Sequence, residues 1–183
     1  MTGPHAHDAS YAEAIATERA GKDEYFRRAP DSPIPADERD AFAGLAYYPP
    51  DVEYRVEGLV LGPYEGEEPE AFDLPTSTGE LRRAWRAGTF RFALGGPALA
   101  LTAYDLGGGE LFVPFLDATS GRETYGAGRY LDVEPALDGT FTLDFNLAYH
   151  PYCAYSPAYS CPLTPAENRL PVRIEAGERL PTD

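Results

Sequence analysis

The side chains best able to do chemistry crowd into the second half of the chain. Asp117, Tyr125, Arg129, Asp144, Asn146, Tyr149, Cys153 and Asn168 all fall within one stretch rich in Pro, Gly, Tyr and Asn. A carboxylate such as Asp144 can take a proton as a general base, and a thiol such as Cys153 becomes a strong nucleophile once ionised. Those two are the catalytic candidates. Arg129 follows Gly126-Ala127-Gly128, small residues that permit close backbone approach, so its fork of donors is suited to clamping a carboxylate or phosphate. Asp117, Asn146 and Asn168 would orient such a ligand, with Tyr125 and Tyr149 as ring walls. Each group also has a plainer role. Arg129 can pair with Asp117 or Asp144 inside the protein. Asp144 and Asn146 can form an exposed polar face or tie down the irregular segment after Ala148. Asn168 can bind backbone groups through an Asx-type turn.

Seven residues separate Cys153 and Cys161 in YCAYSPAYSCP. Four roles are open to them: a bridged or bridgeable pair, inert thiols packed as small hydrophobes, metal ligands, or a reactive nucleophile. Zinc sites usually offer closer pairs, so the spacing alone selects no metal. No cofactor is indicated either. Gly107–Gly109 joins two extended segments without a following helix, and no G-x-S-x-G or H-E-x-x-H pattern is present.

With 15 basic against 30 acidic residues, the net charge is −15. A field of that sign repels phosphate backbones and argues against nucleic acid as a partner. Lys22 is the only lysine, and the remaining cations are arginines. Such acidity also suits concentrated salt, where screening removes self-repulsion. The opening MTGPHAHDASYAEA has neither a basic lead nor an apolar run, and no segment approaches the ~20 apolar residues that cross a bilayer. A soluble, cytoplasmic protein is expected; the residues do not indicate its oligomeric state. At 183 residues one domain is expected over 1–183, with a helical segment at 8–45 and a β domain at 53–176. An irregular cover at 146–171 belongs to that β domain.

The elements that position these groups follow from periodicity. Asp8 or Ser10 can cap a helix running to about Arg28, which the prolines of Pro30–Pro35 must end. Asp37 can cap a short second helix from Glu38 to Phe42. After Glu53 the apolar period falls to two. Strands are expected at Tyr54–Leu59, around Leu81–Trp85 with a turn near Ala87–Thr89, at Phe90–Leu94 and at Leu99–Ala103. Others follow at Leu111–Phe115, Arg129–Val133, Phe141–Phe145 and Val172–Ile174, with Tyr64–Glu70 as a solvated acidic loop. Alternation would carry Asp144 and Asn146 to one face, opposite Phe145. The class is mainly β: an antiparallel meander closed as a small barrel or sandwich, with an N-terminal helical hairpin.

Five stretches resemble one known family: KDEYF with SPIP, GLAYYPPDVEYRV, LFVPFLDATSGRETYGAGRYLD, and the long C-terminal run LDFNLAYHPYCAYSPAYSCPLTPAENRLPVRIEAGE. They are similar to the bacterial and archaeal family called domain of unknown function 1684. The resemblance implies motif positions at Asp117, Thr119, Tyr125, Gly128, Arg129, Asp144, Asn146, Tyr149, Cys153, Cys161, Pro165 and Asn168, and no settled activity. The expectation is a site for a polar or anionic small molecule at one end of the sheet, with catalysis left open. A non-catalytic structural or interaction domain held by a buried polar network is the alternative. A metal-binding protein using Cys153 and Cys161 is a third.

Overall fold

In the computed structural model, which describes residues 4–181, the chain begins with helix α1, Pro4–Arg28. The helix starts earlier than expected, so Asp8 and Ser10 lie within it rather than at its cap. Its inward residues, Tyr11, Ile15, Arg19, Lys22 and Phe26, recur at three- and four-residue steps along one face. Only Ile15 and Phe26 of these are fully apolar and buried. The other three attach the helix through polar groups. Tyr11 donates to Asp144 at 2.7 Å, and Arg19 donates to the carbonyls of Tyr48 (2.8 Å) and Asn146 (3.2 Å). Lys22 pairs with Glu178.

No second helix follows. Arg39–Ala41 is a single 3-10 turn, its bonds running three residues back from Ala41 to Glu38 and from Phe42 to Arg39. Pro30, Pro33 and Pro35 leave too little chain before Gly44 to build an α-helical nucleus. Arg39 instead holds the return, donating to the carbonyls of Ile34 and Ala29. The expected helical hairpin is therefore one helix and an irregular return.

Among the described residues seven strands follow: β1 Arg55–Leu59, β2 Ala71–Pro75, β3 Leu81–Ala93, β4 Ala98–Asp105, β5 Leu111–Phe115, β6 Arg129–Val133 and β7 Phe141–Asp144. Strands β2 to β6 form an antiparallel meander in sequence order, while β1 pairs with β7 as a separate ribbon. Among the described residues β2 and β6 do not pair with each other, so the sheet is not a closed barrel. Val172–Ile174 joins neither ladder. Its backbone bonds go instead to Ala118 and to the Asp117 carboxylate.

Each face of the five-stranded sheet carries a buried cluster, while the opposite side of β3 stays exposed along its length. Phe90, Phe92, Leu101, Val113, Phe115, Leu131 and Val133 pack with Leu143 and Phe145 of the ribbon side in the larger core. Phe145 meets Phe115 edge-on at 5.3 Å, a geometry worth about 1 kcal/mol beyond burial. Leu74, Ala84, Tyr104, Phe112 and Tyr130 form a second cluster. Strand β3 serves both. The expected turn near Ala87–Thr89 is a bulge, where Arg86 pairs with Tyr104 but Gly88 pairs with Ala103. One extra residue flips the strand, so Ala84 faces the second cluster while Phe90 faces the first. Gly88 is required there because a Cβ would lie 2.4 Å from the Gly62 carbonyl oxygen.

Candidate functional site

The expected convergence of Arg129, Asp117, Asp144, Asn146 and Asn168 on one hollow does not occur. Arg129, at the start of β6, is 1% exposed. Its guanidinium donates to the carbonyls of Ile174 (2.8 Å), Ala176 and Glu178 (3.1 Å), and faces Asp117 at 3.5 Å. Desolvation pulls its pKa down, opposed chiefly by the Asp117 charge. Asp117 in turn accepts from the Ile174 N–H at 2.6 Å and the Thr119 hydroxyl at 2.8 Å. Together the pair fastens the 174–178 segment across the sheet. The ion pair with Asp117 that the sequence allowed is what forms, and both terminal nitrogens of the expected ligand clamp are already used, leaving only the buried Nε without a partner.

Asp144 and Asn146 do not share a strand face, because β7 ends at Asp144. Its carboxylate caps the next turn, accepting from the Asn146 N–H at 3.1 Å, while also receiving the Tyr11 hydroxyl. A carboxylate so fully supplied with donors is badly placed to take a substrate proton. Asn146 closes two bonds with the Asp51 backbone, at 2.9 and 2.7 Å. Asn168 serves a different pair of strands. Thr102 of β4 would sit opposite Pro114 of β5, but proline has no N–H to continue the ladder. The Asn168 carboxamide fills the gap, accepting from Thr102 N–H (2.8 Å) and donating to the carbonyls of Thr102 (2.8 Å) and Pro114 (2.7 Å). It stands in for a missing piece of peptide rather than forming the local Asx turn expected.

Tyr149, Tyr125 and the cysteines lie elsewhere. On the second face of the sheet is a cleft of about 450 Å³, lined in part by Lys22, Arg82, Tyr130, Tyr149, Tyr152, Tyr159 and Cys161. The hydroxyls of its tyrosines are largely committed to the protein: Tyr130 to the Pro162 carbonyl, Tyr149 to Asp132, and Tyr159 to the Asp31 carbonyl at 3.0 Å. Tyr130 and Tyr149 meet edge-on at 5.7 Å, as do Tyr152 and Tyr159 at 5.2 Å. Two cations border these rings. The Lys22 ammonium lies 4.6 Å from the centre of the Tyr149 ring, and Arg82 donates to the Ser160 carbonyl at 3.0 Å. Burial raises the pKa of Asp132 against the opposing effect of the Tyr149 bond. Burial also drives the Tyr149 phenol upward.

Tyr125 sits beside this region with its backbone N–H on His150 Nε2, at 3.1 Å. That bond requires a lone pair on Nε2, so the imidazole is neutral. Burial pulls the pKa of His150 down to about 4. Cys153 and Cys161 are both free thiols. The Cys153 N–H donates to Cys161 Sγ at 3.3 Å, and burial pushes the Cys161 thiol up to about 11. Among the described residues no group of three or more His, Cys, Asp or Glu side chains is placed to hold a metal ion. The side chains of His5 and His7 lie outside the described residues.

Sequence reasoning passed over Glu178, which organises the end of the chain. It is 1% exposed and accepts from Lys22, the His150 N–H (2.8 Å) and the Tyr155 hydroxyl (2.6 Å). The available signal was Gly177 before it. That residue has φ +76° and no room for a Cβ, which would lie 2.5 Å from the Ala148 carbonyl oxygen. Lys22, Arg82, Asp132, Tyr152 and Tyr159 were also passed over, because separate elements bring them to the cleft.

The chain is similar to a protein of known structure over nearly its full length. The solution NMR structure of an uncharacterised protein from Haloarcula marismortui matches with a TM-score of 0.67 and 41% identity, covering 94% of this chain and 95% of that one. No curated protein matches the chain. The sequence model of the family described as "Protein of unknown function (DUF1684)" matches residues 40–179. With three quarters of its length under that match, the chain belongs to the DUF1684 family.

Proposed function

We propose that the cleft on the second face of the sheet binds a small, planar, anionic molecule. The observation that carries this reading is the lining itself. Tyrosine rings with committed hydroxyls leave apolar π surface, and Arg82 supplies positive charge at the margin of a strongly acidic protein, beside a Lys22 already paired with Glu178. Ligand sites characteristically combine aromatic walls with a few fixed polar groups. On this reading Tyr149 supplies a ring wall, and Arg82 takes the anchoring role first expected of Arg129. Arg82 has a guanidinium only partly used, by the Ser160 carbonyl. No helix among the described residues is long and apolar enough to cross a membrane, and a cytoplasmic setting remains part of the proposal.

The test uses 4-nitrobenzoate as probe and nitrobenzene as its neutral counterpart, with backbone amide shifts as readout. The proposal expects saturable shifts confined to residues 149–162 and the strand around Arg82, stronger for the carboxylate. Arg82→Ala should weaken carboxylate binding by about fivefold, the worth of one ion pair near the surface. Shifts that are absent, scattered, or equal for the two probes would refute it.

A second reading applies to Asp117, Arg129, Asn146 and Asn168, whose polar atoms bond to backbone groups of this same chain. Their work is structural. Asn146 and Asn168 tie down the irregular 146–171 cover, Asp117 and Arg129 hold the 174–178 segment that follows it, and the cleft depends on that cover for most of its wall.

A further inference from the structure

We propose that Cys153 and Cys161 form a redox-active dithiol that a low-molecular-weight disulfide closes into an intramolecular bridge. The seven residues between them do not lead away from one another. Tyr152–Ala154 is a 3-10 turn, and the bonds Tyr155 N–H to Tyr152, Ser156 N–H to Tyr152 and Tyr159 N–H to Ser156 fold the segment back on itself. The fold brings Cys161 Sγ to 3.3 Å from the backbone nitrogen of Cys153. The far end is fixed, since the Cys161 N–H donates to the Ser77 hydroxyl and its carbonyl accepts from the Ser77 N–H. Both cysteines are free, so both sulfurs are available to a bridge.

The two thiols differ in the way a stepwise exchange needs. Cys153 is partly exposed, whereas Cys161 is buried and its thiol is held protonated by burial. The Cys153 thiolate attacks one sulfur of the incoming disulfide and displaces one thiolate, which takes up the proton Cys153 gave up. Cys161 then loses its proton and attacks Cys153 Sγ, releasing the second thiol. Two protein thiols are oxidised to one disulfide, and the reagent disulfide is reduced to two thiols. Cys161 lines the cleft, so on the reading given above the bridge also stiffens that wall.

Oxidised glutathione under native conditions, with intact-mass detection, tests the bridge without reference to any cleft ligand. Wild-type protein should lose the mass of two hydrogens, retain no glutathione and show no maleimide-reactive thiol. Cys161→Ser should stop with one glutathione on Cys153, and Cys153→Ser should remain unmodified. Cys161→Ala and Cys153→Ala provide the same readings if a serine variant fails to fold. Wild type that accumulates a glutathione adduct, links two chains, or keeps both thiols free while Cys161→Ser is modified would overturn the proposal. If the bridge forms while 4-nitrobenzoate fails to bind, the dithiol stands and the cleft reading falls.

Discussion

His150 should make the fold lose stability between neutral and mildly acid pH. The imidazole is 2% exposed and accepts the Tyr125 N–H through Nε2. Burial disfavours its charged form, and Arg129 and Lys22 act in the same direction. Glu178, with Oε2 3.7 Å from Nδ1, opposes them but does not prevail. The folded pKa is about 4, against 6.5 for the free side chain. Because the folded value is depressed, the unfolded chain binds the proton first. The contribution is complete above the unfolded pKa and drains away as pH falls toward the folded one. Linkage across that interval puts the loss between pH 7 and pH 5 at about 2 kcal/mol. Urea unfolding of wild type and His150→Gln at both pH values measures it. Gln retains an acceptor for the Tyr125 N–H and cannot titrate, so effects of other groups cancel in the difference. Stability curves that run parallel over this interval would refute the argument.

Removing the Asn168 carboxamide with Asn168→Ala should lower stability by about 3 kcal/mol in urea titrations, since backbone groups of Thr102 and Pro114 lose their partner while staying buried. A loss below about 1 kcal/mol would mean water takes its place. Glu178→Gln should cost about 2 kcal/mol, because the half-buried Lys22 keeps its charge and loses its counter-ion while water still reaches part of it. Lys22→Met in the same background should recover part of that loss, and a double-mutant cycle would show it.

Much of the framework was legible from alternation, and the failures have physical causes. Leu111–Phe115 and Arg129–Val133 were expected within their observed bounds, because apolar residues mark short strands bounded by turn residues. Strand β2 escaped notice: Asp73, Pro75 and the preceding glutamates resemble a solvated loop, yet an edge strand tolerates a proline. Periodicity read β3 as two strands because the Gly88 bulge breaks its pairing without ending it. The face shared by Asp144 and Asn146 rested on a strand continuing past Asp144, which the side chain of Asp144 itself ends by capping. Residue types in the motif were informative, but their use was not. Arg129 and Asn168 look the same in sequence whether they bind a ligand or the chain's own carbonyls. That distinction depends on Ile174, Ala176 and Pro114, which carry no side-chain signal of the contact. The cleft was hidden because Lys22, Arg82 and Tyr159 come from three distant parts of the chain.

Helix α1 is joined to the sheets mainly by a phenol, a guanidinium and an ammonium, with Ile15 and Phe26 as its chief greasy contacts. Peeling it away would therefore uncover carbonyls and carboxylates that water solvates readily, together with the rings of Phe42, Tyr152 and Tyr155 that surround Phe26.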